Sequence, residues 1–258
     1  RKFSKKHMER ELKNKVIVIT GGAQGIGYAI ADSFLQNGAK TTILLDINKE
    51  LGSQATETLN RKHGEDKAVF MKCDVTKDLE QVSSEILQKY DVNILVNNAG
   101  IVDEMSARRT IEVNTIAVVE WGMKFWEYMR KDKGGRGGTI INMSSIYGYV
   151  RDPFLVYYKT SKHGVIGFTK TLGHEFNYKI TGVRVVAICP GFTYTALSNG
   201  ITPFGFQKEE FDKFTSCSQL FQKVETVGEA AVDVFVAAES GSAWVTEKEE
   251  PIKPAPID

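Results

Sequence analysis

Short apolar runs alternate along this chain with longer segments whose apolar residues recur every three or four positions. The strand-sized runs are VIVIT at 16–20, TTILLD at 41–46, AVFMKCDV at 68–75, NILVNNAG at 93–100, TIINMSS at 139–145, VRVVAICPG at 183–191 and SAWVTE at 242–247. Strands that are apolar throughout need cover on both faces, and the intervening segments have helical periodicity. The alternation therefore predicts an α/β fold of Rossmann type, a single doubly wound parallel sheet of about seven strands with helices on both faces.

The alternation also predicts how the chain is divided. No Pro-rich linker or internal repeat interrupts it, so we expect one domain over residues 15–247. A basic N-terminal extension, residues 1–14, precedes this domain, and a charged, extended tail, residues 248–258, follows it. The Phe-rich stretch 192–222 lies outside the alternation.

Composition narrows the classes of partner. The 33 basic and 32 acidic residues nearly balance, so no general attraction to nucleic acid or anionic membrane is expected, and a small molecule is favoured. No apolar run approaches the roughly 18 residues that a membrane span needs. The histidines and the odd set of cysteines, Cys73, Cys189 and Cys217, show no metal-like spacing. We therefore expect buried thiols, no disulfide framework and no metal.

Cysteine usage also bears on location. A chain without a disulfide framework is typical of a reducing compartment, so we predict a cytoplasmic protein. The first fifteen residues are basic but lack the apolar core of a signal peptide. Residue 1 is Arg rather than Met, which leaves open a leader removed from a longer precursor.

A glycine-rich turn, TGGAQGIG at 20–27, follows the first strand and opens a helix. Such a turn lets backbone amides approach a pyrophosphate, which the positive end of the helix dipole attracts. Its spacing, G-x-x-x-G-x-G, differs from the usual dinucleotide fingerprint, and a simple tight turn is the alternative. The candidate cofactor residues here are Gly21, Gln24, Gly25, Ile26 and Gly27.

The second strand ends in Asp46, where a carboxylate can accept hydrogen bonds from both hydroxyls of an adenosine ribose. A 2′-phosphate would meet a like charge there, and Ile47 and Asn48 follow instead of a cation. NAD is therefore predicted over NADP. After the third strand, Asp74 and Val75 are candidates to contact the adenine, although Asp74 could instead cap a helix.

The stretch YYKTSK at 157–162 contains a candidate catalytic pair. Tyr158 and Lys162 are one helical turn apart, whereas Tyr157 is paired in the same way with Ser161. Lowering the phenol pKa by three units takes about 4 kcal/mol, much of which a nearby ammonium can supply. The pair alone is weak evidence, because Tyr and Lys at this spacing also occur on solvated faces.

Further polar residues stand where ligands bind in such sheets, at the carboxyl ends of strands. The fifth strand ends in Ser144 and Ser145, of which only one can face the crevice. Ser145 precedes Tyr158 by thirteen residues, and Asn114 forms the polar point of an otherwise apolar helix. The fourth strand ends in small residues that allow close packing of a cofactor: Asn98, Ala99 and Gly100.

Taken together, TGGAQGIG, NNAG, a Ser thirteen residues before YxxxK, and PG at 190–191 resemble the short-chain dehydrogenase/reductase family over roughly residues 14–247. The fourteen residues from Gly100 to Asn114, with NMSS and CPGF, are similar to 15-hydroxyprostaglandin dehydrogenases and insect-type alcohol dehydrogenases. The closing GSAWVTE favours the insect-type branch.

The resemblance implies an NAD-dependent oxidoreductase that interconverts an alcohol and a carbonyl. In it, Tyr158 exchanges the proton, Lys162 lowers the Tyr158 pKa and binds the nicotinamide ribose, and Ser145 holds the substrate oxygen. Asn114 is expected to anchor, through its backbone, a water that links Lys162 to solvent. The segment that packs on the nicotinamide is predicted to include Pro190, Gly191, Thr193 and Thr195.

The resemblance also makes the Phe-rich stretch 192–222 a lid over the substrate. Its aromatic residues, without an obvious charged partner, favour a largely apolar secondary alcohol or ketone, although several of them could simply pack the lid down. The predicted substrate contacts are Ser145, Tyr147, Tyr158, Phe192 and Phe204.

We also expect a homodimer or homotetramer. The predicted helix 107–131 carries Trp121, Phe125 and Trp126, a stripe too large for one sheet face. Tyr157 is predicted at the pocket wall or a subunit contact, and the tail could cross to a partner.

Two other functions stay open: a nucleotide-binding protein whose catalysis has lapsed, which the intact Ser, Tyr and Lys disfavour, and an NADP-dependent reductase, which Asp46 opposes.

Overall fold

The structure is a computed structural model that describes residues 10–198, 201–216 and 221–257. Its sheet contains eight strands in the order β3-β2-β1-β4-β5-β6-β7-β8. The strands are β1 Val16–Thr20, β2 Thr41–Asp46, β3 Ala68–Lys72, β4 Ile94–Asn97, β5 Gly138–Met143, β6 Val183–Pro190, β7 Ala243–Thr246 and β8 Lys253–Pro254. All neighbours pair in parallel except β7 and β8. The predicted fold class is confirmed.

Helices cover both faces of this sheet. In the described part of the chain they are α1 Gly25–Gln36, α2 Lys49–His63, α3 Leu79–Lys89, α4 Ala107–Ile111, α5 Ala117–Met129, α6 Val156–Leu172, α7 Glu175–Thr181, α8 Lys208–Thr215 and α9 Val224–Ala237. The chain builds β1 to β3 toward one edge and then returns to place β4 on the other side of β1. A crevice therefore opens at the carboxyl ends of β1 and β4, where the direction of winding reverses.

Two apolar cores lie on opposite faces of the sheet. One packs α1 and α9 against alternate residues of the central strands, with Phe34 and Val234 fully buried. The other contains Trp121 and Phe125, which are 1% and 0% exposed, and Trp126, which is 9% exposed. The prediction that this aromatic stripe reaches a partner subunit is therefore wrong, because the subunit's own sheet and helices bury it.

The predicted strands differ from the observed ones mainly at their carboxyl ends. β1 and β2 have the expected bounds, whereas β4 and β5 end before the NAG and SS segments. These residues leave the sheet to line the crevice. The predicted helix 107–131 is α4 and α5 joined by a π-helical turn, Glu112–Ile116. The tail, predicted to be extended, adds the short antiparallel strand β8.

The described parts of the lid are residues 192–198, 201–216 and 221–222, and they include a 3₁₀ turn, Gly205–Gln207, that leads into α8. The remaining lid positions, Cys217 and most of the basic extension lie outside the described residues. Among the helices that the structure describes, none is long and apolar enough to cross a membrane.

Candidate active site

The crevice continues into a cavity of about 720 Å³ that brings most of the predicted site residues together. Of the predicted residues, the cavity is lined by Gly21, Gln24, Gly25, Ile26, Asp46, Ile47, Asp74, Val75, Asn98, Ala99, Gly100, Ser145, Tyr147, Tyr158, Lys162, Pro190, Gly191, Phe192, Thr193 and Thr195. Gly27, Asn114 and Phe204 lie outside this lining. The strand-end motifs and the YxxxK helix thus form one continuous site.

The glycine turn is shaped by contacts that leave no room for side chains. Gly21 has φ +63°, and a Cβ there would lie 2.9 Å from the Cα of Ala99. At Gly27 a Cβ would lie 2.2 Å from the carbonyl oxygen of Gly21, so this glycine packs the turn rather than lining the cavity. Helix α1 starts after Gln24 without a side-chain cap, which leaves its amides for a ligand. These features fit a bound pyrophosphate.

Two polar residues, Thr20 and Asn98, hold the glycine turn in place. Thr20 was not among the site residues predicted from the sequence. The hydroxyl oxygen of Thr20 accepts hydrogen bonds from the amides of Asn98 and Ala99, at 3.0 and 3.1 Å. The side-chain amide of Asn98 donates to the carbonyls of Thr20 and Gly21, at 3.0 and 2.9 Å. The ends of β1 and β4 are therefore fixed to each other beneath the turn.

Asp46 is oriented by two backbone amides beside this turn. Its carboxylate accepts from the amide of Ala23 at 3.1 Å and from that of Asn48 at 3.0 Å. Each carboxylate oxygen retains acceptor capacity, so a ribose hydroxyl could still bind. Ile47, 64% exposed, stands next to it as an apolar surface for a base. The arrangement fits the predicted adenosine end of the site.

Asp74 does not cap a helix, so this alternative is wrong. Helix α3 begins after Asp78, and the carboxylate of Asp78 accepts from the amide of Asp74 at 2.8 Å. The carboxylate of Asp74 accepts from the amide and hydroxyl of Thr76, at 3.1 and 2.7 Å, and pairs with Lys77. Partial burial opposes ionisation, but the bonds from Thr76 and Lys77 outweigh it and lower the Asp74 pKa.

The two serines after β5 take different roles. Ser144 donates to the carbonyl of Lys162 at 3.0 Å, which ties the strand end to α6. Ser145 is 8% exposed, accepts from the amide of Tyr147 at 3.1 Å and lies close enough to the phenol of Tyr158 to lower its pKa. Ser145 is therefore the serine that meets Tyr158, as the thirteen-residue spacing predicts.

The expected effect of Lys162 on Tyr158 is not found in the chain itself. Burial raises the pKa of Tyr158 to about 12, and Ser145 opposes this only in part. The ammonium nitrogen of Lys162 lies 5.4 Å from the centre of the Tyr158 ring and donates to the carbonyl of Met143 at 2.9 Å. Burial also lowers the pKa of Lys162, to about 8, which weakens its charge near neutral pH.

Asn114 lies behind the cavity in the π-helical turn and is fully buried. Its side-chain oxygen accepts from the amide of Ile101 at 2.8 Å, and its nitrogen donates to the carbonyl of Ile101 at 2.9 Å. The same nitrogen donates to the hydroxyl of Ser161 at 3.1 Å. The side chain thus joins the loop after β4 to α6, a role that the prediction of a backbone-bound water did not include.

The far end of the cavity is aromatic and aliphatic. Tyr147, 4% exposed, meets the rings of Tyr158 and Phe192 edge to face, with centroids 6.3 and 5.8 Å away. Phe204 instead packs against Tyr157 at 5.6 Å, outside the cavity lining. The apolar lining residues that the sequence did not indicate come from separate segments of the chain, and they include Val102, Leu155, Leu197 and Ile201.

Comparison with known proteins places this geometry in a family. A family model described as short chain dehydrogenase matches residues 15–204. The chain belongs to the short-chain dehydrogenase family. The resemblance recognised from the motifs is therefore confirmed.

Named members of the short-chain dehydrogenase family resemble most of the chain. The 15-hydroxyprostaglandin dehydrogenase [NAD(+)] of Macaca fascicularis is 39% identical over 77% of this chain and 74% of its own. Alcohol dehydrogenase 1 of Ceratitis capitata is 30% identical over 91% and 92%. A solved structure of 3-ketoacyl-(acyl-carrier-protein) reductase from Brucella melitensis, complexed with NADH, is 25% identical. It covers 92% of this chain and 98% of its own, with a TM-score of 0.78.

Within the described residues, no group of three or more His, Cys, Asp or Glu side chains is placed to hold a metal ion. Cys73 and Cys189 are buried free thiols whose pKa values burial raises to about 12. They are therefore protonated near neutral pH.

Proposed function

We propose that this chain is an NAD-dependent dehydrogenase that interconverts a secondary alcohol and a ketone on a largely apolar substrate, within one domain over residues 15–247. The observation that carries the proposal is a single contact. The phenol of Tyr158 meets Ser145 inside the cavity that the glycine turn and Asp46 also line. A proton-exchanging group and a dinucleotide cradle therefore share one site.

The residues present fit NAD as the cofactor. The turn from Gly21 to Gly27 would hold the pyrophosphate, Asp46 the adenosine ribose, and Ile47, Asp74 and Val75 the adenine. Relatives named as NAD(+) enzymes and a neighbour complexed with NADH support this choice over NADP. The residues that would pack on the nicotinamide are Asn98, Ala99, Gly100, Pro190, Gly191, Thr193 and Thr195.

Tyr158, Ser145 and Lys162 each have a different role in the proposed reaction. In oxidation, Tyr158 as phenolate accepts the hydroxyl proton of the alcohol, and in reduction the phenol returns it to the carbonyl oxygen. Ser145 hydrogen-bonds the same oxygen and stabilises the charge that develops on it. Bound NAD supplies the acceptor for the hydride that leaves the carbinol carbon. Lys162 holds the nicotinamide ribose and favours the phenolate when it is charged.

The raised pKa of Tyr158 indicates whether its side chain donates or accepts a proton at neutral pH when no cofactor is bound. Because burial raises this pKa to about 12, the phenol is protonated near neutral pH and ready to donate. Oxidation requires that proton to leave first, so we expect it to accelerate as the pH rises. Without bound cofactor, the phenol is therefore set to donate a proton at neutral pH, and proton acceptance becomes easier in alkaline solution.

The walls beyond Tyr158 support an uncharged, apolar substrate. The charged lining residue Arg109 pairs with Asp103. The apolar lining, most of which clusters around Tyr158, includes Val102, Tyr147, Leu155, Phe192, Leu197 and Ile201. None of these side chains could pair with a carboxylate or an ammonium, and burial raises the pKa of Tyr147 above its usual value. An alcohol or ketone within an apolar framework, as in a lipid, steroid or terpenoid, suits these walls.

The experiment follows NADH formation by absorbance with purified protein, NAD or NADP, and secondary alcohols graded from short-chain to steroidal and prostanoid. We expect turnover with NAD, higher kcat/KM as the alcohol becomes more apolar, and little turnover with NADP. Calorimetry measures NAD binding independently. Silence across the whole panel despite NAD binding would contradict the proposal and favour a nucleotide-binding protein without catalysis.

We also propose that the enzyme forms a homodimer or homotetramer. The aromatic stripe of α5 is internal, but Ile116 at the start of that helix is 47% exposed beside a shallow cavity lined by Ile111 and Ala117. The same cavity also has Arg108, Glu112 and Glu120 in its lining. An apolar centre with charged residues around it supports a subunit contact. Sedimentation equilibrium measures the mass directly, and a monomer at every concentration tested would contradict the proposal.

A further inference from the structure

The helix that carries Tyr158 begins without a cap of its own. Helix α6 starts at Val156, and the residue before it, Leu155, has φ +55° and no side chain able to accept a hydrogen bond. The first amides of any α-helix have no partner within the helix, so they need acceptors from elsewhere. Tyr157 and Tyr158 supply two of these amides.

Glu104 accepts from both amides. Its Oε1 lies 2.9 Å from the amide nitrogen of Tyr158, and its Oε2 lies 3.1 Å from that of Tyr157. Glu104 belongs to the loop between β4 and α4, more than fifty residues earlier in the chain, and is 4% exposed. A buried carboxylate from a distant loop therefore completes the first turn of the catalytic helix.

The buried charge of Glu104 is balanced by this helix end. Within the part of the chain that the structure describes, no lysine, arginine or histidine forms an ion pair with Glu104. Hydrogen bonds from amides to an ionised acceptor are stronger than neutral ones, and the positive end of the α6 dipole adds to them. An uncharged replacement would lose this match, because an amide side chain presents one acceptor and one donor.

The loop that holds Glu104 is itself fixed to the site. The hydroxyl of Thr110 donates to the carbonyl of Asp103 at 2.7 Å, next to Glu104. Asn114 holds Ile101 through two hydrogen bonds, three residues before Glu104. Glu104 therefore connects this anchored loop to the first turn of α6, in addition to the link that Asn114 makes to Ser161 further along the helix.

We propose that Glu104 is a positioning residue: it fixes the first turn of α6 so that the phenol of Tyr158 meets Ser145. This role rests on the proposed function for its effect on turnover. The physical reason is that a helix end with free amides frays, and a displacement of about 1 Å at a reacting group can cost about a hundredfold in rate. The turn that binds the cofactor is anchored separately, by Thr20 and Asn98.

The test compares Glu104→Ala and Glu104→Gln with His174→Ala. His174 caps the start of α7 by accepting from the amide of Phe176 at 3.1 Å and does not line the cavity, so its loss removes an exposed helix cap elsewhere. For each protein, kcat and KM for the alcohol, the calorimetric Kd for NAD, and the ultraviolet titration of tyrosine are measured. Subtracting the titration of Tyr158→Phe isolates the Tyr158 component.

We expect kcat to fall by about 10- to 100-fold in Glu104→Ala and less in Glu104→Gln, which keeps one acceptor, with NAD affinity within about twofold. His174→Ala should retain the kcat of the parent. Burial holds the Tyr158 pKa at about 12, so a frayed turn that admits water should bring its titration down toward 10 in Glu104→Ala.

A kcat in Glu104→Ala within about twofold of the parent would overturn the proposal, as would equal losses of kcat and NAD affinity, which indicate general damage. If Glu104→Ala does not fold, Glu104→Gln decides, and an unchanged kcat there would also overturn it. If the parent turns over no substrate, the proposed function fails, but the shift of the Tyr158 titration still decides the role of Glu104.

Discussion

The two ends of the cavity are built in different ways. The cofactor end consists of backbone turns at the ends of adjacent parallel strands, where Gly21 and Gly27 allow contacts that any Cβ would block. The substrate end consists of side chains from distant segments, among them Tyr147, Leu155 and Phe192. Local backbone geometry governs the first, and tertiary packing governs the second. Substitutions at the two ends should therefore fail in different ways.

Gly27→Ala should have the largest effect at the cofactor end. The added methyl would lie 2.2 Å from the carbonyl oxygen of Gly21, and backbone cannot move aside cheaply. We expect a loss of about 2–3 kcal/mol in the free energy of unfolding and of about a hundredfold in NAD affinity. Urea titration and calorimetry measure the two.

Gly167→Ala is the matched control for that change. A Cβ at Gly167 meets nothing within 4 Å, and the residue lies within α6. Alanine favours helix over glycine by up to about 1 kcal/mol, so this variant should be as stable as the parent or more so. Equal destabilisation of both variants would contradict the steric explanation.

Asp46→Ala should weaken NAD by about tenfold, because hydrogen bonds from a ligand to a charged group contribute about 1.5–3 kcal/mol. NADP should be affected less or should bind better, because the carboxylate repels a 2′-phosphate. Calorimetry with both dinucleotides checks this difference. Equal losses for NAD and NADP would mean that Asp46 acts through its bonds to Ala23 and Asn48 alone.

Phe192→Ala and Phe204→Ala test which of these two phenylalanines belongs to the substrate end of the cavity. Phe192 lines the cavity and packs on Tyr147, whereas Phe204 packs on Tyr157 outside it. We expect Phe192→Ala to lower kcat/KM for an apolar alcohol by about fivefold or more, with NAD affinity unchanged, and Phe204→Ala to alter it little. Steady-state kinetics distinguishes them, and the reverse order would place the substrate elsewhere.

A pH-dependent effect on stability concerns Lys162, between the two ends. Burial lowers its pKa from 10.5 to about 8, so between these values the unfolded chain holds a proton that the folded chain has lost. The stability contributed by this site therefore rises with pH over that window. Lys162→Met removes the contribution, so its advantage over the parent should be largest at about pH 7 and should shrink by about pH 10. Urea titrations at both pH values check this, and a constant difference would contradict it.

Most of the residues predicted for the cofactor end line one cavity for a physical reason. Strands that are apolar throughout and turns rich in glycine are local patterns, and parallel strands bring their carboxyl ends together whatever the rest of the chain does. The local pattern left open which of Ser144 and Ser145 faces the crevice, and the family resemblance indicated Ser145. Even so, Thr20, which holds the turn from below, carries no local signal that marks its role.

The substrate end and the support of Tyr158 were predicted less well. Nothing near Glu104 in the sequence indicates that it caps a helix starting more than fifty residues later. The predicted positions of Phe204 and of the aromatic stripe around Trp121 were wrong, because a run of aromatic residues does not indicate which surface it packs against. The Tyr158 pKa depends on burial, which charge spacing along a helix does not reveal.

The most direct test of the central claim compares the parent with Tyr158→Phe and Tyr157→Phe. The two tyrosines are neighbours on α6, but Tyr158 meets Ser145 in the cavity and Tyr157 packs on Phe204. For each protein, the rate of NADH formation with an alcohol that the parent oxidises and the calorimetric Kd for NAD are measured. We predict that Tyr158→Phe loses about a hundredfold or more in kcat and keeps its NAD affinity, while Tyr157→Phe keeps both. Turnover that survives in Tyr158→Phe would contradict its role as the group that exchanges the proton.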